Sequence, residues 1–204
     1  MIGYRENYEQ IADDHLAHWR ETGVNPWQSE VHVNAMGIAT AQMVINYSNA
    51  RDTILDAGCA MGDLLARVPD RIRHGLDFNA DYLAIASERG IVTACADIED
   101  MPYPDGMFDL VVTTDVLEHV LDLNAAIREM VRVLRPGGVL IARTPFEEDL
   151  SGYLAPEYPY RFAHLRRFDE PTLRLLFDRI FGMTVVEVVR VFGTAWEINV
   201  AARK

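Results

Sequence analysis

Thr53-Ile54-Leu55-Asp56-Ala57-Gly58-Cys59-Ala60-Met61-Gly62-Asp63 carries a short apolar run, a carboxylate and two glycines four residues apart. The run has the length and β-branched content of a buried strand, and the glycines after it permit a tight turn. Asp63 then reads as the N-cap of a following helix. In an open α/β sheet ligands bind beyond the carboxyl ends of the strands, where a glycine turn brings backbone close and a helix N-terminus offers free N–H groups. Asp56 closes this strand at the point where a carboxylate meets a cationic group of a ligand.

Outward from this turn the same alternation recurs. Strands are expected at 53–56, 72–77, 91–96, 108–113 and 138–144, with helices at 63–68, 80–89 and 124–134, the pattern of a parallel sheet with helices on its faces. Arg135-Pro136-Gly137-Gly138 stops the third helix with a turn. A last helix at 170–181 precedes two β-rich runs, 184–191 and 196–202, whose short link Phe192-Gly193-Thr194-Ala195 predicts an antiparallel hairpin at one sheet edge. Residues 1–50 read as a helical N-terminal cover, with Ile11, His15, Leu16 and Trp19 at helical spacing after Tyr8 and a second helix at 31–45 after Asn25-Pro26. Residues 145–168, crowded with aromatics and prolines, read as a substrate-side loop over the carboxyl edge of the sheet.

A chain of 204 residues, half apolar and a quarter charged, has material for one core, so 1–204 is expected to be a single domain. Residues 1–10 lack an apolar run and later runs are strand-sized, which predicts a cytoplasmic protein without a membrane partner. Cys59 and Cys95 are spaced for neither a disulfide framework nor a zinc ribbon, and both are expected to be buried thiols. The net charge of -12 repels phosphate backbones, so nucleic acid is not an expected partner. Oligomeric state is left open.

Two successive features restrict the ligand. A nicotinamide dinucleotide calls for Gly-x-Gly-x-x-Gly, but counting from Gly58 the second glycine is Ala60 and the third position is Asp63, whose carboxylate would face a pyrophosphate. A zwitterionic ligand bearing a sulfonium suits these acids better than a dianion. Asp77 closes the second strand at the distance expected of a carboxylate accepting both ribose hydroxyls, with Phe78 beside it for an adenine face. Asp97, after the third strand, is a candidate acceptor for the adenine amine, with Ile98 packing alongside.

On these residues the chain resembles the class I S-adenosylmethionine-dependent methyltransferases, and in particular the branch that includes ubiquinone-type O-methyltransferases. The matching motifs are Ile54-Leu55-Asp56-Ala57-Gly58-Cys59, Gly75-Leu76-Asp77, Ala96-Asp97-Ile98, Phe108-Asp109-Leu110-Val111-Val112, Asp115-Val116-Leu117-Glu118-His119-Val120 and Leu134-Arg135-Pro136-Gly137-Gly138. The resemblance implies a Rossmann-like α/β fold with a seven-stranded sheet of order 3-2-1-4-5-7-6, strand 7 antiparallel. It implies S-adenosylmethionine as cofactor, with Asp56, Gly58, Ala60 and Gly62 at its methionine end, Asp77 on ribose, Asp97 and Ile98 on adenine, and Thr114 and Asp115 near the methionine portion. One departure stands out: the family's middle glycine is Ala60 here.

Methyl transfer from a sulfonium chiefly demands alignment and exclusion of water, and a general base is optional. His119, after the fourth strand, is the first candidate base, and His164 in the aromatic loop the second. Each has the alternative of an ordinary packing histidine. Tyr8, Tyr160 and Arg161 are candidate acceptor contacts. Arg161, His164, Arg166 and Arg167 form a basic run that would suit an anionic small-molecule acceptor, or else pairs with nearby carboxylates. His15 and His18 beside Asp13 and Asp14 lack further ligands, so no metal is expected. The alternatives are a macromolecular acceptor (tRNA or protein), an NAD-dependent oxidoreductase, or a non-catalytic partner subunit that keeps the fold.

Overall fold

The fold follows from central strands that bury apolar side chains on both faces of the sheet. A computed structural model describes residues 3–26 and 28–204, so residues 1–2 and 27 of the N-terminal segment lie outside the description. Seven strands, β1 Thr53–Ala57, β2 Ile72–Asp77, β3 Val92–Cys95, β4 Phe108–Thr114, β5 Leu134–Pro145, β6 Thr184–Phe192 and β7 Trp196–Arg203, form one sheet in the order β3-β2-β1-β4-β5-β7-β6. The first five are mutually parallel, while β7 runs antiparallel to both β5 and β6. The expected strand order and the antiparallel hairpin are both present.

Side-chain alternation divides the core into two layers. Ile54, Leu110, Val112, Val139 and Ile141 face one side, where α2 Glu30–Tyr47, α3 Asp63–Ala66 and α4 Ala80–Glu88 cover them. Leu55, Val111, Leu140 and Ala142 face the other, packed under α5 Leu123–Val133 and α6 Glu170–Arg174. Such near-continuous apolar strands are what burial on both faces requires. Among the described residues no helix is long and apolar enough to cross a membrane.

Four expectations need correction. Of the two N-terminal helices, only α1 Tyr4–Thr22 is a cover; α2 is a sheet-layer helix, because Met36, Thr40 and Val44 give it a buried face and Thr40 donates to Asn199 Oδ1 of β7 at 2.8 Å. The turn at 135–138 is not a separate connection but an irregularity inside β5: Leu134 pairs with Phe108 and the next pair is Val139 with Leu110. Gly137, at φ +76, supplies the left-handed residue that this bulge needs. The helix expected at 170–181 winds as an α-helix only to Arg174 and then widens into a π-turn, with Phe181 N–H donating to Leu176 O at 3.1 Å. Cys59 is buried as expected but Cys95 is exposed, since β3 is an edge strand.

Candidate functional site

Parallel register brings the carboxyl ends of β1, β2, β3, β4 and β5 to one edge, and the antiparallel run of β7 brings its first residues there as well, with Pro145 opposite Glu197. A cavity of about 850 Å³ opens along this edge. Its volume lies in the range of small-molecule sites. Asp56, Gly58, Ala60, Asp77, Phe78, Asp97, Ile98, Thr114 and Asp115 line one continuous part of it, together with Tyr8, His119, Tyr160 and His164. Gly62 and Arg161 do not line it. Gly62 is instead the left-handed N-cap of α3, where a Cβ would lie 2.4 Å from Ile91 Cδ1. Asp63, expected as that cap, is the first helical residue and pairs outward with Arg89.

At the β1–β2 end the turn is built by backbone. Gly58, at φ +87, donates to Leu76 O at 2.8 Å, and a Cβ there would sit 2.3 Å from Val116 Cγ2. Ala60 N–H donates to Asp77 Oδ2 at 2.9 Å and Asn79 N–H to Asp77 Oδ1 at 3.0 Å, so both oxygens of Asp77 are oriented while keeping acceptor capacity for hydroxyls. Ala60 adopts φ +43, and its methyl packs beside Ala12, Leu16 and Tyr82, which accounts for a side chain at a position where glycine would be easier. Asp97 Oδ1 accepts from Glu99 N–H at 2.9 Å. Asp56 is 2% exposed with Oδ1 accepting no hydrogen bond, and burial raises its pKa to about 7. A buried carboxylate oxygen without a partner, beside a turn that a Cβ would fill, fits the cationic methionine end of S-adenosylmethionine.

The β4–β7 end is built by side chains. Asp115, at φ +55, holds Arg143 through Oδ2 to Nη2 at 2.5 Å and Oδ1 to Nε at 3.2 Å. Glu118, 1% exposed, has no hydrogen-bond partner on either oxygen, and burial followed by the nearby Asp115 charge pushes its pKa well up. Glu197 is raised to about 9 by burial and then by Asp115, with Oε2 unpartnered and Oε1 3.5 Å from His32 Nε2. Thr194 N–H donates to His32 Nδ1 at 3.2 Å, which leaves the proton of that imidazole on Nε2, toward Glu197.

His119 and His164 lie ring to ring at 4.6 Å. Burial, then His164, lowers the pKa of His119 to about 4; its Nδ1 lies 3.3 Å from Ala163 O, so the Nδ1 proton is donated there. His164 Nδ1 pairs with Glu148, whose other oxygen accepts from Tyr153 OH at 2.7 Å. The basic run does not converge: Arg166 donates to Leu117 O and Val120 O, Arg167 pairs with Glu147, and the Arg161 guanidinium lies over the Phe162 ring. Nor do His15 and His18 form a pair, since His15 Nδ1 meets Tyr82 OH at 2.5 Å. Elsewhere in the cavity, Glu118, His119 and His164 offer donor atoms that all lie within 4.8 Å of one another.

α1 closes the cavity from above. Tyr4 OH donates to His119 O and Tyr8 OH to Ala163 O, each at 2.5 Å, and Asn7 exchanges two hydrogen bonds with Phe162 at 2.9 and 3.0 Å. Tyr160 OH reaches Asp14 of α1 at 2.9 Å. Sequence reading assigned no role to Arg143, Glu118, Glu197 or His32, and considered Glu148 only as a pairing partner for the basic run. Only Glu118 had a signal, its place beside His119 in a quoted motif.

Residues 55–142 match the family described as "Methyltransferase domain". A probable S-adenosylmethionine-dependent methyltransferase of Mycolicibacterium smegmatis is 33% identical over 156 residues, 74% of this chain and 59% of that protein. The chain thus spans less than two thirds of that relative's length. Among solved structures the cyclase SpnF superposes with a TM-score of 0.75 at 20% identity, covering 97% of this chain and 94% of that one. Magnesium protoporphyrin IX methyltransferase from Synechocystis PCC 6803, with bound S-adenosylhomocysteine, superposes at 0.71 and 16% identity, covering 96% and 99%. At such identities these two establish the fold alone. Family match, strand order and the turn between β1 and α3 agree, and the chain belongs to the class I S-adenosylmethionine-dependent methyltransferases.

Proposed function

We propose that this protein transfers a methyl group from S-adenosylmethionine to an oxygen or nitrogen of a small-molecule acceptor. The observation that carries the reading is the continuity of the cavity from the backbone-built turn at Asp56 and Asp77 to the buried pocket at Glu118, His119 and Arg143. When bound, S-adenosylmethionine supplies a methyl on a sulfonium centre, so that an acceptor lone pair takes up the carbon while the S–C electron pair passes to sulfur.

The chain's residues bind, orient and exclude water. Asp77 takes the ribose hydroxyls on a carboxylate already fixed by Ala60 and Asn79 N–H groups. Asp56 meets the methionine ammonium, and Asp97 with Ile98 the adenine. The strap of α1 over residues 160–163 shields the acceptor pocket, which supports a small acceptor over tRNA or a protein. Carboxylates outnumber guanidinium groups along the lining, and Arg143 is committed to Asp115, so a neutral or cationic acceptor suits the pocket better than an anion. With a pKa of about 4, His119 is a poor proton abstractor at neutral pH, which favours holding over general-base work.

Calorimetry with S-adenosylhomocysteine and NADH, followed by transfer of labelled methyl to panels of small amines, phenols, tRNA and protein, tests the reading. Binding of S-adenosylhomocysteine alone and labelling confined to small acceptors is the expected result. NADH binding, or labelling confined to tRNA or protein, would overturn it.

A further inference from the structure

We propose that Glu118, His119 and His164 form a binding site for one first-row divalent transition cation at the acceptor end of the cavity. One donor atom from each lies within 4.8 Å of the others. Metal–ligand bonds of about 2.0–2.2 Å set ligand atoms about 3–4 Å apart, so closure takes shifts of up to about 1 Å per side chain.

Glu118 is 1% exposed, and neither of its oxygens accepts a hydrogen bond. His119 Nδ1 lies against Ala163 O and His164 Nδ1 pairs with Glu148, contacts that leave the Nε2 side of each ring outside those hydrogen bonds. A backbone carbonyl on one ligating histidine and a carboxylate on the other are the supports that fix tautomer and ring orientation at metal sites. Tyr153 OH in turn holds Glu148 at 2.7 Å.

The two segments that carry the ligands are clamped together before any cation arrives. Leu165 N–H donates to Glu118 O at 2.8 Å, and Arg166 donates to Leu117 O and Val120 O. Preorganisation of this kind is what a site needs to hold geometry. Two imidazoles and one carboxylate suit zinc, manganese, iron or cobalt better than magnesium or calcium, and three protein ligands leave positions open toward the cavity. There the cation would hold an acceptor oxygen; that use rests on the methyl-transfer reading, whereas the site itself stands on the side-chain geometry.

The test is titration of the full chain, dialysed against chelator, with cobalt(II) alone, read by its visible ligand-field absorption. One equivalent should saturate the bands. Glu118→Gln and His164→Gln should each weaken binding at least 100-fold, and Glu148→Gln, which touches no cation, about 10–100-fold. Circular dichroism and S-adenosylhomocysteine binding are followed on the same samples. Absence of the bands in the wild-type chain, or a titration unaltered by all three substitutions, overturns the site. Retained S-adenosylhomocysteine binding in that event leaves the cofactor reading standing, and a small alkylammonium ion binding to wild type but not Glu118→Gln would assign the carboxylate to an organic cation instead.

Discussion

At the β1–β2 end of the cavity both oxygens of Asp77 accept backbone N–H groups, whereas at the β4–β7 end Glu118 and Glu197 are as deeply buried with three carboxylate oxygens that accept nothing. The first end has its shape dictated by main chain over a few consecutive residues. The second is assembled from the loop after β4, from β5, β7 and α2, and from the 146–168 segment, and is held together by charges and imidazoles. Backbone geometry suits a ligand whose form never varies, while a set of unpartnered side chains suits one that differs between relatives of the same fold.

The largest way to disturb this contrast is Gly58→Ala. A Cβ would press on Val116 Cγ2 at 2.3 Å from a left-handed backbone, and we expect a loss of about 2–4 kcal/mol, seen as a fall of about 5–15 °C in a thermal melt. A fall of under 2 °C would mean that the turn yields more easily than its geometry implies. Asp77→Asn comes next. It removes the charge that fixes the turn and receives the ribose, and should weaken S-adenosylhomocysteine about 100-fold by calorimetry with little change in acceptor KM.

The turn and the strands were legible in the sequence because their signals are local. Apolar runs, glycine spacing and acids at successive strand ends all fall within short windows, and strand order followed from the resemblance they support. Arg143, Glu197 and His32 carry no such signal, since they meet only after β7 folds back antiparallel between β5 and β6. The juxtaposition of Glu118, His119 and His164 carries no local signal for the same reason: His164 lies 45 residues beyond His119. The role of α2 was misread because both N-terminal helices have apolar positions at helical spacing, and only tertiary contacts say what each covers. Cys95 was misplaced because edge position is a property of the whole sheet.

Titration separates the two ends by sign. Asp56 is raised to about 7 by burial, and a bound ammonium favours its charged form, so S-adenosylhomocysteine affinity should fall by up to about tenfold per unit as pH drops below 7. Calorimetry in two buffers of different ionisation enthalpy should show proton release on binding near pH 6; heats independent of buffer would contradict this. Glu197, raised from 4.5 to about 9, stabilises the empty fold fully below about 4.5 and loses that contribution as pH rises through 9. His15, His32 and His74, lowered by burial, act oppositely, contributing above 6.5 and less as pH falls. Glu197→Gln should therefore shrink the loss of melting temperature between pH 7 and 9 and leave the acid limb intact.

The smallest expected effect is Ala60→Gly. Relief of a left-handed alanine is offset by the lost methyl contact with the α1 cluster and by glycine's greater unfolded freedom, so stability should move by no more than about 1 kcal/mol either way. Urea denaturation resolves a change of that size.

A crystal structure with S-adenosylhomocysteine tests the division of the cavity most directly. The account predicts ribose on Asp77, the ammonium at Asp56, and the sulfur directed toward the space bounded by Glu118, His119 and His164. A ligand seated with its sulfur turned away from that space, or with its ribose at the β4–β7 end, would contradict it.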